Sequence, residues 1–547
     1  MSKYVIGIDF GSLSARAVVV DALTGEILAE KVSEFKHQVM YNSLPDGTPL
    51  PDKFALQHPQ DYIDALIETV TGVLEISKVD KNDVLAIAND FTTCTLIPVD
   101  SDGTPLCFKK EFASEPHAYA KLWKHHYSQD LADAITKKCV EFNVPSGSFG
   151  GKVSSEWLIP KVWETLKYSK RTFDATYRFY EAGDYINYYL TGVENHSVCY
   201  MGFKGLWSAE NGFLPNELLA SLDKDLAGVI GSKISTKIDP VGGCIGCLTD
   251  EIAKKLNLTT KTVVATSVID AHSPIPAIGL CETGNLMLVL GTSTCHIVNS
   301  NKPLDIKGVC GYAKDSVVPP FYTYEASQPS CGDQFQWFID NALPKSYFDN
   351  ATMQGKNIHI YLQDLASKLK PGESGLLSID WFNGNRSILN NANLSALILG
   401  LNINTKPEEI YRTLIEGTAF GTKIIIDNFN DNGLKIEKIT ATGGIANKNS
   451  MMMQIYADIL DQEIFVSNCE LSGAYGSAIY ATVASGVYPD VITASKHLAK
   501  TTGKYYYPNK DNAKIYQKLY AEYKTLYNYF GRGENDVMKR LIEIKNS

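Results

Sequence analysis

The strongest hydropathy pattern in the chain is an apolar strand that enters a turn rich in glycine and hydroxyl side chains and leaves as a second apolar strand. Residues 5–10 and 15–21 form the first such unit. Apolar runs bounded by Gly and Ser predict strands joined by a tight turn. The polar residues of this first unit that are candidates for phosphate contact are Gly11, Ser12, Ser14 and Arg16.

The same pattern returns in the middle of the chain. Residues 286–290 and 294–299 are predicted strands, and the turn between them contains Gly291, Thr292 and Ser293. Glycine lacks a Cβ, so backbone N–H groups and neighbouring hydroxyls can come close to a phosphate in such a turn. Two such hairpins that face each other can hold one polyphosphate from both sides.

Other periodic segments place each hairpin in an α/β unit. In the first half we expect strands at 27–32, 84–89 and 95–99, a helix at 59–77, and a mainly helical region at 111–240. In the second we expect strands at 262–268, 439–441 and 464–466, helices at 334–341, 358–369, 408–428, 449–460 and 473–485, and one long helix over the last 35 residues. A chain of 547 residues is too long for one core. We therefore predict two α/β domains, 1–262 and 263–547, with a ligand in the cleft between them.

Charge and composition narrow the function classes. The net charge is −10, hydrophobic residues make up 44% of the chain, and no Lys/Arg-rich run occurs. These features argue against nucleic acid and membrane partners. No apolar run approaches membrane-spanning length, and the chain opens directly into a strand, so a cytoplasmic protein is expected. The eleven cysteines include one isolated Cys-x-x-Cys, Cys244 to Cys247, which fits a structural loop better than a metal or redox site.

Two aspartates end predicted strands and are candidates for chemistry. Asp9 precedes the first turn, where a carboxylate can hold Mg²⁺ beside a phosphate or can cap the turn. Asp270 follows the strand at 262–268. It can act as a general base in the cleft, or as the N-cap of a helix that Pro274 opens.

Three further segments have both a functional and a plain structural interpretation. In residues 442–447, Gly443 and Gly444 with Asn447 can let adenosine approach the backbone, or form an ordinary strand-to-helix turn. Lys204 stands in an apolar, glycine-flanked segment, and is either a ligand contact or a solvated lysine. Glu325 stands between aromatic residues, and is either a ligand contact or an edge-strand charge.

In their order along the chain, these motifs resemble the FGGY carbohydrate kinase family of the actin, Hsp70 and sugar kinase superfamily. Residues 9–16, 290–294 and 442–447 match its two phosphate motifs and its adenosine motif, and Asp270 matches its catalytic aspartate. Within the family, the ribulokinase branch is most similar. The segments that carry this likeness are 90–95, 122–126, 203–207, 327–333 and 379–386.

The resemblance implies two ribonuclease H-like α/β domains and transfer of the γ-phosphoryl of ATP to L-ribulose, with Mg²⁺. It implies Asp270 as catalytic base, Asp9 and Asp270 as metal ligands, and Thr93, Lys204, Asp270 and Glu325 as sugar contacts. Gly11, Ser12, Ser14, Arg16, Gly291, Thr292, Ser293, Gly443, Gly444 and Asn447 would bind ATP. A homodimer stays open. The alternatives are another kinase of the family, acting on xylulose, D-ribulose or a pentitol, and a non-catalytic, nucleotide-gated sugar sensor.

Overall fold

The computed structural model describes residues 3–546 and divides them into alternating strands and helices. The strands are β1 (Tyr4–Phe10), β2 (Ser14–Asp21), β3 (Ile27–Glu34), β4 (Leu56–Gln57), β5 (Val84–Phe91), β6 (Leu96–Val99), β7 (Ala120–Lys121), β8 (Arg178–Glu181), β9 (His196–Ser197), β10 (Ile238–Asp239), β11 (Cys244–Cys247), β12 (Val263–Ala265), β13 (Val268–Ile269), β14 (Asn285–Leu290), β15 (Thr294–Ser300), β16 (Tyr312–Lys314), β17 (Tyr322–Gln328), β18 (Leu377–Ile379), β19 (Leu397–Leu399), β20 (Lys438–Thr442), β21 (Ile464–Ser467) and β22 (Gly503–Tyr506).

The helices are α1 (Pro59–Ser77), α2 (Gln129–Glu141), α3 (Leu158–Tyr168), α4 (Lys170–Ala175), α5 (Ala182–Thr191), α6 (Val198–Lys204), α7 (Asn216–Leu222), α8 (Val229–Ser232), α9 (Asp250–Lys255), α10 (Pro274–Ala277), α11 (Gly332–Ala342), α12 (Lys345–Met353), α13 (Ile358–Ala366), α14 (Pro407–Asp431), α15 (Gly444–Lys448), α16 (Ser450–Leu460), α17 (Ser472–Ala484), α18 (Val491–Leu498), α19 (Lys510–Gly531) and α20 (Val537–Asn546).

Two large sheets carry the two predicted hairpins. The first has the order β11-β12-β5-β1-β2-β3, with β13 also paired to β5. The second has the order β16-β17-β15-β14-β20-β21-β22. In each sheet an antiparallel hairpin, β1–β2 or β14–β15, lies beside a parallel neighbour, β5 or β20. The repeated sequence pattern therefore corresponds to a repeated sheet arrangement.

Chain segments from both sides of residue 262 build the first sheet. Strands β12 and β13 pair with β5, and helix α17, near the C-terminus, packs on β1 and β5. The contact with β1 is close, because a Cβ on Gly7 would lie 1.9 Å from the Ala474 carbonyl oxygen. The division at 262/263 stays a prediction. Below, "first half" means the first sheet with the elements packed on it, and "second half" means the second sheet with its own.

Three regions differ from the sequence expectation. The region at 111–240 contributes β7 and β8 to a four-stranded sheet, β4-β7-β6-β8, besides its helices. The predicted strand at 262–268 is divided into β12 and β13, because three residues lie between Val264 and Val268 where β5 has only two between their partners, Ile87 and Asp90. The Cys-x-x-Cys segment is the exposed strand β11 rather than a loop.

The prediction of a single long helix at the C-terminus is wrong. The structure has two helices there, α19 and α20. Gly533, with φ of +89°, lies between them in a conformation that ends a helix. Four tyrosines at helical spacing on α19 pack into the core of the second half: Tyr516, Tyr520, Tyr523 and Tyr527. Within residues 3–546, no helix is both long and apolar enough to cross a membrane.

Candidate active site

The first hairpin turn is fixed from several directions. The Gly11 N–H donates to the Ser14 carbonyl at 3.0 Å and closes the turn between β1 and β2. The Ser12 hydroxyl accepts a bond from Trp123 Nε1 at 3.1 Å, and Gln57 Nε2 donates to the Ser12 carbonyl at 2.7 Å. These bonds hold the turn in one conformation, as a rigid phosphate-binding turn requires.

The second hairpin turn is held by the start of helix α11. The Gly291 N–H donates to the Ser293 carbonyl at 3.0 Å. The N–H groups of Cys331 and Gly332 donate to the carbonyls of Thr292 and Gly291 at 2.7 and 3.0 Å. A Cβ on Gly332 would lie 2.9 Å from the Gly291 carbonyl oxygen, so glycine lets helix and turn come this close.

The predicted adenosine turn lies against the second hairpin. Gly443 has φ of +99°, and a Cβ there would lie 2.5 Å from the Leu290 carbonyl oxygen. Any side chain at Gly443 would therefore push the turn away from the hairpin. Gly444 has open space around it, and Asn447 is exposed. The sequence motif is a strand-to-helix turn, and it presents its open side to solvent.

Residues next to the two hairpins interact with each other, so both hairpins border one cleft. Lys124 follows Trp123, which contacts the first hairpin, and Asp333 lies at the start of α11 beside the second. Burial raises the pKa of Asp333, and the nearby Lys124 charge opposes that rise. Residues beside the two turns are therefore close enough for their charges to interact.

Three aspartates lie on neighbouring strands at the floor of this cleft. Asp9 on β1 is directly opposite Asp90 on β5, and the Asp270 N–H donates to the Phe91 carbonyl at 3.0 Å just after β13. Burial, and then the charge of Asp9, raise the pKa of Asp270 to about 7. Burial and Asp9 likewise raise the pKa of Asp90. Helix α10 is preceded by Ser273 as its N-cap residue, so the helix-cap interpretation of Asp270 is wrong.

The positions of Asp9 and Arg16 follow from the β1–β2 register, in which the two residues are opposite each other. Burial raises the pKa of Asp9, while the interaction with the neighbouring Asp90 carboxyl and the charge of Arg16 oppose the rise. Arg16 also lines a surface cavity of about 470 Å³ with Glu30 and Lys500. The Arg16 side chain is therefore between the cluster of three aspartates and the outer surface of the first half.

The predicted sugar contacts Lys204 and Glu325 form an ion pair between α6 and β17. Lys204 Nζ lies 2.7 Å from Glu325 Oε1, and His272 Nε2 lies 3.1 Å from Glu325 Oε2. Burial raises the pKa of Glu325, but Lys204 and His272 outweigh it and leave the pKa well below its ordinary value. Lys204 is only 5% exposed, so the solvated-lysine interpretation is wrong. The pair is charged and lies at the junction of the two halves.

The fourth predicted sugar contact, Thr93, is half-buried in a loop held by buried charges. Lys161 Nζ donates to the Cys94 carbonyl at 2.5 Å, and the Thr95 N–H donates to Glu181 Oε2 at 3.1 Å. Charges of Lys204 and Glu325 act on neighbouring groups of this region, including the Cys94 thiol and Asp270. The charges of Lys204 and Glu325 therefore reach both Asp270 and the residue beside Thr93.

Sequence reasoning did not assign roles to four charged or polar residues of this region. Asp90 and Arg386 belong to the segments that carry the family likeness, and His272 lies two residues after Asp270, which matches the family's catalytic aspartate; those places in the sequence were the available signal. Glu156, which contacts Arg386 Nη2 at 2.7 Å, had no signal in the sequence.

A divalent cation fits the acidic floor as a partner of bound phosphates rather than in a protein cage. Among residues 3–546 there is no group of three or more His, Cys, Asp or Glu side chains arranged to hold a metal ion. Buried Asp90 Oδ1 nevertheless has no hydrogen-bond partner, and Asp9 carries a carboxylate beside it. Mg²⁺ commonly uses one or two carboxylates together with phosphates and water. Asp9 and Asp270 satisfy that modest requirement.

Solved structures of sugar kinases share this fold. A ligand-bound xylulose kinase from Lactobacillus acidophilus superposes with a TM-score of 0.80 at 19% identity, over 97% of this chain and 99% of that one. A Plasmodium falciparum glycerol kinase with ADP gives 0.76 at 16% identity, over 97% and 98%. The predicted fold class, two α/β domains of the actin and sugar kinase type, is confirmed.

Sequence relatives are much closer. Residues 286–485 match the C-terminal domain of the FGGY family of carbohydrate kinases. The chain is 43% identical over 540 residues to a ribulokinase of Bacillus licheniformis, covering 98% of each chain. A ribulokinase of Staphylococcus aureus is 35% identical over 544 residues, covering 99% of each. The family resemblance found in the motifs is confirmed, and the protein is an ATP-dependent sugar kinase that belongs to the ribulokinases of the FGGY family.

Proposed function

We propose that this kinase transfers the γ-phosphoryl group of ATP to the terminal hydroxyl of L-ribulose and forms L-ribulose 5-phosphate. One observation carries the proposal: the buried Lys204–Glu325 pair contacts His272, which lies two residues after Asp270. This contact supports a site in which a base, a charged pair able to bind hydroxyls and two phosphate-binding turns act together.

Asp270 is the proposed general base. In a loose phosphoryl-transfer transition state the hydroxyl proton leaves late, so a carboxylate suffices as acceptor. A pKa near 7 suits this role, since a base works best when its pKa is close to the working pH. Asp270 would orient the hydroxyl towards the phosphorus atom and accept its proton. Most of the acceleration would come from positioning and charge neutralisation.

The two turns are the proposed phosphate sites. Backbone N–H groups and hydroxyls of Ser12, Ser14, Thr292 and Ser293 would hold the phosphates, with Arg16 as a further positive charge. Gly443, Gly444 and Asn447 would form the adenosine side. Asp9 and Asp270 would hold Mg²⁺, which when bound neutralises charge on the β- and γ-phosphates.

The sugar end is the proposed source of specificity. Lys204 can donate to one sugar hydroxyl while Glu325 accepts from another, and Thr93 borders the same space. A charged group left unpaired by a missing or inverted hydroxyl costs about 1–3 kcal/mol. That penalty would favour L-ribulose over xylulose, D-ribulose, pentitols and glycerol.

The decisive experiment is a coupled ADP-release screen. L-ribulose, D-ribulose, D-xylulose, ribitol and glycerol are compared with ATP and Mg²⁺, and each product is identified by mass. We expect the highest kcat/KM for L-ribulose. A higher kcat/KM for another acceptor would assign the chain to that substrate, and sugar binding without ADP release would support the sensor alternative.

We also infer a cytoplasmic location and a homodimer. All eleven cysteines are free thiols, as is usual in reducing compartments. For the dimer, residues 387–405 carry no charge in an otherwise acidic chain, and their exposed apolar side chains are Leu399, Leu401 and Ile403. Such a patch favours an interface. Light scattering coupled to size exclusion should give twice the monomer mass, and a monomer at all concentrations would refute the dimer.

A further inference from the structure

Two ion pairs join one half of the protein to the other. The first half supplies the base in one pair and the acid in the other. In the first, Lys204 of the first half contacts Glu325 of the second at 2.7 Å. In the second, Glu156 of the first half, just before α3, contacts Arg386 of the second, also at 2.7 Å. Each half therefore supplies one acid and one base, and the pairs are crossed.

The Glu156–Arg386 pair lies on the solvent side of the Lys204–Glu325 pair. The side chain of Arg386 is 28% exposed and that of Lys204 is 6% exposed. Arg386 Nη1 also lies 3.5 Å from the Ser327 hydroxyl, two residues after Glu325 on β17. The outer pair thus covers the strand that presents the inner acid.

The charges also act on each other within each half. Burial raises the pKa of Glu156, but Arg386, His126 and Lys204 together bring it below its ordinary value. Burial lowers the pKa of Arg386, but the charge of Glu156 outweighs burial and leaves the pKa above its ordinary value. Glu325 contributes to the same rise, more weakly. Glu156 is thus near Lys204, and Arg386 is near Glu325. Each charge retains an opposite charge in its own half if the crossed pairs separate.

We propose that Glu156 and Arg386 are positioning residues that join the two halves over the sugar site, so that Lys204 and Glu325 meet the sugar only while the outer pair is formed. The link to sugar binding rests on the proposed function. Opening the cleft separates both crossed pairs, and the acid and base within each half then compensate each other. Charged groups that keep a partner avoid most of the cost of an unpaired buried charge.

The test is a double-mutant cycle with Glu156→Gln, Arg386→Gln and the double variant. Each single change removes the outer pair that joins the two halves, so we expect the sugar KM to rise about tenfold or more, with the ATP KM within about twofold. ATP hydrolysis without sugar phosphorylation should rise relative to sugar phosphorylation, because water enters a loosened site. The double variant should resemble the single ones rather than their product. Arg386→Lys keeps the positive charge but loses the planar guanidinium. Its sugar KM should lie between those of wild type and Arg386→Gln.

The matched control is the Arg178–Glu194 pair, which joins two residues of the first half at 3.0 Å. Arg178→Gln and Glu194→Gln should leave both KM values and the hydrolysis ratio unchanged. Thermal melting without ligands identifies any variant that fails to fold. If one does, Arg386→Lys, which is a smaller change, still tests whether the sugar KM rises while the ATP KM stays the same.

Two results would overturn the proposal: sugar KM values within twofold of wild type in both single variants, or fully additive effects in the double variant. If wild type fails to phosphorylate L-ribulose, the proposed substrate is wrong instead. The outer pair is then tested by X-ray scattering with a non-hydrolysable ATP analogue. A larger radius of gyration in Glu156→Gln than in wild type supports the pair's role, and equal radii refute it.

Discussion

Replacing Lys204 by Met tests the sugar end of the site most sharply. Methionine keeps an unbranched apolar side chain but removes the ammonium group. Glu325 then retains only His272, at 3.1 Å, of its two charged or polar partners. The change therefore removes a donor from the sugar and leaves a buried carboxylate short of one partner.

The expected size follows from these contacts. A hydrogen bond to a charged group contributes about 1.5–3 kcal/mol. If that energy is lost in the transition state, kcat/KM for L-ribulose falls roughly 10- to 150-fold. Breaking a buried ion pair costs folding stability as well, about 3–5 kcal/mol. Most of the stability should return in Lys204→Met/Glu325→Gln, where no unpaired charge remains, but the sugar affinity should not.

Steady-state kinetics with each substrate varied in turn provides the assay, and thermal melting follows stability. Lys233→Met is the matched control, because Lys233 is another partly buried lysine of the first half, bonded to the Thr176 carbonyl. It should leave sugar kinetics unchanged. If Lys204→Met keeps kcat/KM for the sugar within threefold of wild type, or alters the ATP KM as much as the sugar KM, Lys204 is not a sugar contact.

Three other changes give independent outcomes. Asp270→Asn should lower kcat by about 10²- to 10⁴-fold, which is the usual effect of losing a positioned base, while the ATP affinity measured by calorimetry stays largely unchanged. A variant that keeps more than about a tenth of wild-type kcat contradicts the assignment of Asp270 as the base. Sugar with a non-hydrolysable ATP analogue should reduce the radius of gyration in X-ray scattering, since each half supplies one phosphate turn; an identical profile at saturation argues against closure. Burial raises the pKa of Asp380 to about 6, partly offset by bonds from Gln328 and Tyr523. A raised folded-state pKa favours the folded state at low pH, and that contribution is lost as pH rises from about 4 through about 6. The melting temperature of wild type minus that of Asp380→Asn should therefore fall across this range, and a constant difference refutes the shift.

The sequence predicts local features of this fold well. The β1–β2 and β14–β15 hairpins and helix α1 occur where their patterns indicate, because their signals lie in consecutive residues. The four-stranded sheet β4-β7-β6-β8 was missed, since strands such as β4 and β7 have two residues each and pair only through distant contacts. The C-terminal helix ends at a local turn signal, since Gly531, Gly533, Asn535 and Asp536 follow one another closely, and the prediction of one long helix overlooked it.

In the site, too, features with a local sequence signal are predictable and features that depend on distant contacts are not. Turn residues such as Gly291 and Gly443 are recognisable because their backbone role leaves a local signature. The charged pairs are not, since Glu156 and Arg386 are 230 residues apart and Lys204 and Glu325 are 121 apart. A lysine or glutamate viewed in its local sequence resembles a surface charge. Only the fold brings the opposite charges together and excludes water from them.

The central claim is that this cleft phosphorylates the terminal hydroxyl of L-ribulose. Phosphorus NMR of a reaction with equal amounts of ATP and L-ribulose tests it directly. We expect one L-ribulose 5-phosphate for each ADP formed, with no product in the Asp270→Asn reaction over the same time. ADP formed with inorganic phosphate alone, phosphate on another hydroxyl, or full product from Asp270→Asn would contradict it.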